Sequence, residues 1–224
     1  MAGQANVRIE GRSVIVMPSN NTGFECGYIA GKYPDRIGHL HSCDSICEPK
    51  MRVPWALDNG VFGAWQAGRE WNEEPLFQFL DRYSAYNPLW VVCPDWVADR
   101  EFTLQKWKDF SPALRSYGHP LAFVVQDGMT PEDVPKDADV VFVGGTVSWK
   151  WRNLTTWTKH FPRVHVGRVN TYGLCWQAHI AGAESCDGTG WFRGNKAQLD
   201  GLMRYLDEST NGRKQQELNM EEAQ

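Results

Sequence analysis

The sequence predicts a single-domain α/β protein, a compact (β/α)8-type (TIM-like) barrel. Short apolar runs rich in β-branched residues alternate with amphipathic stretches along the 224 residues, which is typical of a parallel sheet covered by helices. The first run is followed by MPSNNTG, which lacks the Gly-rich phosphate turn of a doubly wound sheet. About 250 residues are typical of the barrel, so few insertions are expected.

Each predicted strand is a short apolar run bounded by turn-forming residues. Helices are predicted where apolar residues recur at helical spacing, and several have N-terminal signals: Asn72, Thr130 with Pro131, and Asn195. The barrel domain is expected to cover residues 1–208, followed by a polar, disordered tail over 209–224. The predicted strands are 13–17, 53–57, 89–93, 121–125, 140–143, 164–169 and 184–186, and the helices are 75–86, 101–116, 149–160, 171–181 and 196–206.

The composition excludes some classes of function. The net charge is −4, so no overall basic field drives binding to nucleic acid, and any such contact needs a local basic face. No apolar run approaches the roughly 20 residues of a membrane span, and the first residues lack a signal-peptide core. We therefore expect a cytoplasmic protein without membrane contact. The 11 Trp residues either fill the core or stack on planar ligands.

One short segment contains residues of the types that bind zinc. His39, His41, Cys43 and Cys47 lie within nine positions, but their spacing matches no standard finger or ribbon, and no second ligand pair follows. We favour buried core residues over a metal site, and metal analysis of the purified protein would decide between them. No cofactor is predicted.

Polar residues follow successive predicted strands at the carboxyl ends, where a parallel barrel carries its active face. Any one of them could be a turn former, since Asp, Asn and Gly end strands in many proteins. Instead, a single binding site is favoured by the presence of several carboxylates, an amide and glycines without side chains at the same end of the barrel. In chain order these residues are Asp58, Asn59 and Gly60, then Asp95, then Gln126, Asp127 and Gly128, then Gly144 and Gly145, then Gly167, Arg168 and Asn170, and finally Asp187 and Gly188.

These residue types indicate chemistry at a bond between a sugar and a nitrogen base. Asp187 is the candidate nucleophile, since a carboxylate can form a covalent glycosyl intermediate. Asp58 is the candidate acid/base, because neighbouring carboxylates raise its pKa. Asp95 and Gln126 are candidates for binding the polar edge of the base. Gly144 and Gly145 would let a planar ring approach the backbone, with their N–H groups donating to a base oxygen.

A base in duplex DNA reaches such a pocket only after it is flipped out, so residues that hold the strand are also expected. Residues 149–152, Trp-Lys-Trp-Arg, interleave aromatics and cations, although a helix start with buried Trp explains them equally well. His165 and His179 are predicted to be packed or on the surface rather than metal ligands. The candidates for DNA contact are Lys150, Arg152, Arg168, Trp191, Arg193 and Lys196.

In their order, these motifs resemble the tRNA-guanine transglycosylase superfamily. The similarity is to its compact DNA-acting branch, the DNA 7-deazaguanine transglycosylases and related phage or defence-island proteins. The resemblance implies that Asp58 handles base and protons, that Asp95 and Gln126 bind the base, and that Asp187 forms the covalent sugar intermediate. The matching segments are 57–62, 93–95, 125–128, 143–145, 165–170 and 182–189.

Two departures from the family pattern bear on the substrate. No Cys or His follows Asp187, whereas the tRNA enzymes have a zinc module there, so a tRNA substrate is disfavoured. In the family's Asp-Ser-Gly-Gly segment, Asn59 replaces Ser and Val61 replaces the second Gly. Asn59 is therefore a further candidate for base binding, and the base need not be a deazaguanine.

The sequence thus predicts a DNA glycosylase that removes a modified base, leaves an abasic site and acts in antiphage defence. One alternative is a transglycosylase that exchanges the base for a 7-deazaguanine, because the same intermediate serves both outcomes. Others are a non-catalytic reader of modified bases and a barrel hydrolase acting on free nucleosides. The identity of the base, the strand preference and the oligomeric state stay open.

Overall fold

The computed structural model describes residues 14–19, 23–44, 48–49, 53–193 and 196–211. Within these ranges, eight parallel strands form one sheet, and the helices lie outside it. The strands are β1 (Ile15–Pro18), β2 (His39–Ser42), β3 (Trp55–Asp58), β4 (Val91–Val92), β5 (Leu121–Val125), β6 (Val140–Val143), β7 (Val164–Val166) and β8 (Ser185–Gly188). The helices are α1 (Phe24–Lys32), α2 (Val61–Gln66), α3 (Glu74–Tyr83), α4 (Arg100–Arg115), α5 (Val147–His160), α6 (Tyr172–Ala181) and α7 (Lys196–Asn211).

The sheet closes on itself as a barrel. Each strand pairs in parallel with its neighbour in the chain from β2 through to β8, and β8 pairs with β1. The remaining gap, between β1 and β2, is bridged at Val16 with Ile37 and at Ser19 with Leu40. The Gly38 N–H donates to the Val16 carbonyl across this gap at 2.9 Å. The predicted (β/α)8-type barrel is therefore confirmed.

Two apolar layers hold the barrel together. A smaller cluster inside it includes Met17, Trp90 and Val124, and a larger one lies between the strands and the helices. Successive side chains of a strand point to opposite faces, so alternate residues fill the interior and the remainder pack against helices. The interior is a packed core, which confines any cavity to the ends of the barrel.

Local sequence signals account for several helix ends. The Asp99 side chain accepts the Phe102 N–H at 2.9 Å and starts α4, and the Thr171 hydroxyl does the same for Leu174 at the start of α6. Gly182 ends α6 in the left-handed conformation that glycine adopts readily. Thr130 and Asp133 form the reciprocal capping box of a short 3-10 turn over Pro131–Asp133. Asn195, a predicted cap, lies outside the described residues.

Three elements escaped the sequence prediction, each for a local reason. Strand β2 reads His-Leu-His-Ser and lacks the β-branched run by which strands were recognised. Helix α1 contains Gly27 and Gly31, which are poor helix formers. Helix α2 is only six residues long. The seven predicted strands and five predicted helices are all present, with ends shifted by a few residues.

Helix α7 continues past the predicted end of the barrel domain at residue 208. The Arg36 guanidinium donates to the Ser209 hydroxyl at 2.8 Å and to the Thr210 hydroxyl at 3.0 Å. Residues 209–211 are therefore part of the helix, while the rest of the predicted tail lies outside the described residues. In the part of the chain that is described, no helix is both long and apolar enough to cross a membrane.

Candidate active site

A cavity opens at the carboxyl end of the barrel strands, the face predicted to carry the site. Its volume is about 580 Å³ when the open space at its mouth is included. Val92, Val124 and Phe142 point into the barrel, and polar residues that follow them along the chain line the cavity at the carboxyl end. The lining residues are Asp58, Asn59, Phe62, Val92, Asp95, Val97, Val124, Gln126, Phe142, Gly144, Gly145, Gly167, Arg168 and Asp187.

Asp187 is held at the cavity wall through one of its two carboxylate oxygens. Oδ1 accepts the His165 Nε2–H at 3.0 Å and the Arg168 backbone N–H at 3.3 Å. The Ser185 hydroxyl lies 2.7 Å from His165 Nδ1, so in the tautomer with its proton on Nε2 the ring accepts from Ser185 and donates to Asp187. From the described residues, Oδ2 accepts no hydrogen bond. Asp187 is therefore oriented, while one oxygen stays available to a ligand.

The Arg168 backbone adopts a conformation that few side chains tolerate. Its φ is 62°, in the left-handed region that is uncommon for residues other than glycine and concentrates at functional sites. This conformation directs the N–H towards Asp187. The Arg168 guanidinium donates to the Gly145 carbonyl and lies 5.0 Å from the centre of the Phe62 ring. Arg168 thus connects the loops after β3, β6 and β7 at the mouth of the cavity.

Asp95 is the centre of a buried polar cluster. Its Oδ1 accepts the Asn59 amide at 2.8 Å, and its Oδ2 accepts the Gln126 amide at 2.7 Å. The Gln126 Oε1 in turn accepts the N–H groups of Ala98 and Gly145, at 3.1 and 3.2 Å. Because both amides are committed to these contacts, the carboxylate is held in one position in the cavity lining.

Burial raises the pKa of two carboxyl groups in the cavity, those of Asp58 and Asp95. Desolvation raises the pKa of Asp58 to about 7, with further increases from the charges of Asp187 and Asp95, while the Gly60 N–H opposes the rise. Desolvation also raises the pKa of Asp95 to about 6, against the opposing hydrogen bonds from Asn59 and Gln126. Asp58 therefore exchanges protons close to neutral pH, as an acid/base group must.

Lys150 is not the DNA contact that the sequence predicted. It is only 1% exposed, because α5 directs it inward, and its ammonium donates to the Gly167 carbonyl. Desolvation, aided by the charge of Arg168, lowers its pKa to about 7, while the charge of Asp187 acts in the opposite direction. Lys150 instead supports the turn that presents the Arg168 N–H to Asp187.

The two cavity glycines also act differently from the expectation. Their N–H groups are not free for a base oxygen, since that of Gly144 donates to the Val125 carbonyl and that of Gly145 to Gln126. A Cβ at Gly145, where φ is 68°, would lie 2.6 Å from an oxygen of Asp127. The absence of side chains here keeps the turn compact and the cavity wall flat.

Trp191 was also predicted to contact DNA, and the structure contradicts this prediction. It is 1% exposed and belongs to the core between strands and helices, so it presents no surface to DNA. Arg152, Arg193 and Lys196 are exposed and stay candidates. Trp149 and Trp151 pack partly buried against the core, which matches the alternative interpretation of that segment.

The candidate zinc ligands take part in the packing of β2. His39 and His41 are buried with ring centres 4.0 Å apart, and His41 lies edge-on to Trp55 at 5.6 Å. Cys43 is buried beside the site, where its thiol donates to the Asn59 carbonyl at 3.3 Å. Among the described residues, no three His, Cys, Asp or Glu side chains are arranged to hold a metal. Cys47 lies outside the described residues.

Sequence reasoning missed His165 and Ser185 as partners of Asp187. His165 was expected to be packed or on the surface, and it is indeed fully buried. Its position on β7, level with Ser185 on β8, could have been inferred only from the strand register. Phe62 and Val97, which line the cavity, follow the Asp58 and Asp95 motifs and escaped notice because apolar residues carry no chemical signal.

We expect Gly188→Ala to destabilise the protein by about 1–3 kcal/mol through overpacking. An added Cβ would press against the Val169 carbonyl and would lie 2.6 Å from the Asn170 side-chain oxygen. The matched control is Gly27→Ala in α1, where a Cβ meets nothing within 4 Å and a gain of about 0.5–1 kcal/mol is expected. Chemical denaturation measures both variants; equal stabilities would contradict the close packing behind Asp187.

Comparison with known proteins supports the fold alone. No family model and no curated protein matches the chain. The structure is similar to a chain of a tryptophan synthase complex from Pyrococcus furiosus, with a TM-score of 0.55 and 14% sequence identity. The match covers 89% of this chain and 98% of the other. At that identity the likeness shows a TIM-like barrel, a fold shared by enzymes of many unrelated activities.

Proposed function

We propose that the protein cleaves the N-glycosidic bond of a modified base in DNA, using Asp187 as nucleophile and Asp58 as acid/base. The observation that carries this proposal is the pairing of two unlike carboxyl groups in one cavity. Asp187 is oriented by His165 and the Arg168 N–H with one oxygen uncommitted, whereas Asp58 has a pKa of about 7. A nucleophile and a proton donor are the pair that glycoside cleavage needs.

In the first step, Asp187 Oδ2 attacks C1′ of the deoxyribose and forms an ester as the bond from C1′ to the base nitrogen breaks. The bonding electrons leave with the base, and protonated Asp58 delivers a proton to it. In the second step, ionised Asp58 takes a proton from water as the water oxygen attacks C1′. Asp187 is released, and an abasic site remains in the DNA. A free base in place of water would give exchange instead.

The remaining cavity residues suit a planar ring. Val92, Val124 and Phe142 provide apolar walls, and Asp95 directs acceptor lone pairs at the ring's polar edge. A base in DNA would have to be flipped out of the helix to enter. The resemblance of the motif order to the DNA-acting transglycosylases supports a DNA base as the substrate, and the altered 59–61 segment favours excision over exchange with a deazaguanine.

The test is mass spectrometry of the bases released from a panel of normal and phage-modified DNAs, with and without added 7-deazaguanine bases. Excision predicts a free base and an abasic site in unsupplemented reactions. Uptake of the added base would support the transglycosylase alternative, and tight binding without product would support a reader. Release from free nucleosides, with no dependence on the DNA chain, would indicate a nucleoside hydrolase.

Ser185→Ala is expected to lower kcat about fivefold with little change in KM, since the lost hydrogen bond, worth about 1 kcal/mol, orients His165 rather than the substrate. The matched control is Ser111→Ala, the same change at a buried position on α4, for which kcat should be unchanged. Steady-state kinetics separates the two parameters. An unchanged kcat in the Ser185 variant would show that the hydrogen bond from Ser185 to His165 has no catalytic role.

A further inference from the structure

Exposed aromatic side chains surround one side of the cavity mouth. Trp65 is 53% exposed, Trp96 36% and Phe102 43%, and with Phe62 they form what we call the aromatic rim. All four follow the carboxyl ends of β3 and β4, on the face of the barrel that carries the cavity. Large exposed aromatics are costly to leave in water, so their concentration beside a site indicates a binding surface.

The aromatic rim is continuous with the cavity. Phe62 lines the cavity, and its ring centre lies 5.8 Å from that of Trp65 with an interplanar angle of 32°. On the neighbouring loop, Val97 lines the cavity beside Trp96, whose ring meets Phe102 edge-on at 5.1 Å. The Phe62–Trp65 pair therefore extends from the cavity wall outward to solvent, and the Trp96–Phe102 pair adjoins the wall through Val97, the residue next to Trp96.

A cation accompanies each aromatic pair. The Arg168 guanidinium lies 5.0 Å from the Phe62 ring centre, and the Lys106 ammonium lies 5.3 Å from that of Phe102. Two of the carboxylates nearby are engaged within the protein: Asp99 caps α4, and Asp127 accepts from Thr146. Aromatic rings interleaved with a few cations are typical of surfaces that bind unpaired nucleic-acid strands.

We infer that the aromatic rim stacks the unpaired bases that flank the flipped nucleotide, so that the preferred substrate is single-stranded or locally opened DNA. This inference rests on the proposed function. Stacking contributes about 1–3 kcal/mol per base and tolerates any sequence. Among the described residues, Lys106 and Arg168 are the cations in contact with the rim, and the net charge is −4, so stacking rather than phosphate contact must supply most of the affinity. The salt dependence of binding should therefore be shallow.

The experiment measures fluorescence anisotropy of a labelled unpaired DNA oligonucleotide and of its duplex. Trp65→Ala and Trp96→Ala should each weaken binding to the unpaired strand by about 5- to 150-fold. The matched control is Tyr28→Ala, an aromatic on α1 that is 61% exposed, for which affinity should be unchanged. Thermal unfolding of each variant confirms that the fold is intact. Unchanged affinity in both Trp variants, or tighter binding of the duplex, would overturn the inference.

The same comparison separates this inference from the proposed function. If the unaltered protein releases a base while both Trp variants bind DNA normally, the aromatic rim has no role and the proposed function stands. If the Trp variants lose binding while the unaltered protein releases no base, the aromatic rim is a DNA-binding surface and the proposed chemistry fails.

Discussion

Asp187→Asn should abolish base release, with a loss in kcat of at least about 10³-fold. The amide has no negative charge with which to attack the sugar, so the covalent step is lost. The fold should survive, because the Asn Oδ1 can still accept from His165 Nε2 and the Arg168 N–H. The effect is measured as the amount of free base released, determined by mass spectrometry.

The matched control for Asp187→Asn is Asp127→Asn. Asp127 follows β5 and accepts from the Thr146 N–H and hydroxyl, but it does not line the cavity. Its variant should retain base release within a few-fold. If the Asp187 variant kept comparable activity while remaining folded, another group would be the nucleophile and the proposed mechanism would be wrong.

Asp58→Asn should lower kcat about 10²- to 10⁴-fold near pH 6 and change the shape of the pH profile. Asp58 with a pKa of about 7 is protonated below pH 7, so the unaltered protein should lose activity above that value. Asp95, with a pKa of about 6, accepts more strongly from Asn59 and Gln126 when it is ionised, so activity should also fall below pH 6. Initial rates from pH 5 to 9 should therefore peak between these values.

The pH dependence of stability serves as the control for Asp58→Asn. The native state holds a proton on Asp58 that the unfolded chain releases near pH 4, so the stability contributed by this group falls between about pH 4 and pH 7. Asn removes the cost of the buried charge, and the variant should be more stable at pH 8 by about 1–4 kcal/mol. If the Asp58 variant still lost activity above pH 7, another group would be responsible for that loss.

The barrel could be predicted from the alternation of strands and helices along the chain. The polar residues at its carboxyl end could be predicted from the alternation of side chains along each strand. Strand runs with period two place Asp58, Gln126 and Asp187 in line with the interior residues. The chain order of the strands then brings the ends of all eight to one face. Five of the predicted base-binding residues line the cavity for this reason: Asn59, Asp95, Gln126, Gly144 and Gly145.

What sequence could not supply is the direction of individual side chains. Lys150 and Trp191 were predicted as surface contacts from their types, yet α5 and the loop after β8 direct both inward. His165 gained its role from the register between β7 and β8, which no local pattern reports. Residues 149–152 allowed either an exposed aromatic surface or a helix start with buried Trp, and Trp149 and Trp151 are partly buried, whereas Trp65, Trp96 and Phe102 are exposed.

The central claim is that this cavity breaks a base–sugar bond in DNA through Asp187. Its most direct test counts released bases and abasic sites in the same reactions, with the unaltered protein and with Asp187→Asn, across the panel of modified DNAs. The proposed chemistry predicts that, for at least one modified DNA, the unaltered protein yields one abasic site per released base and the variant yields neither. No release from any DNA, or equal release by both proteins, would contradict it.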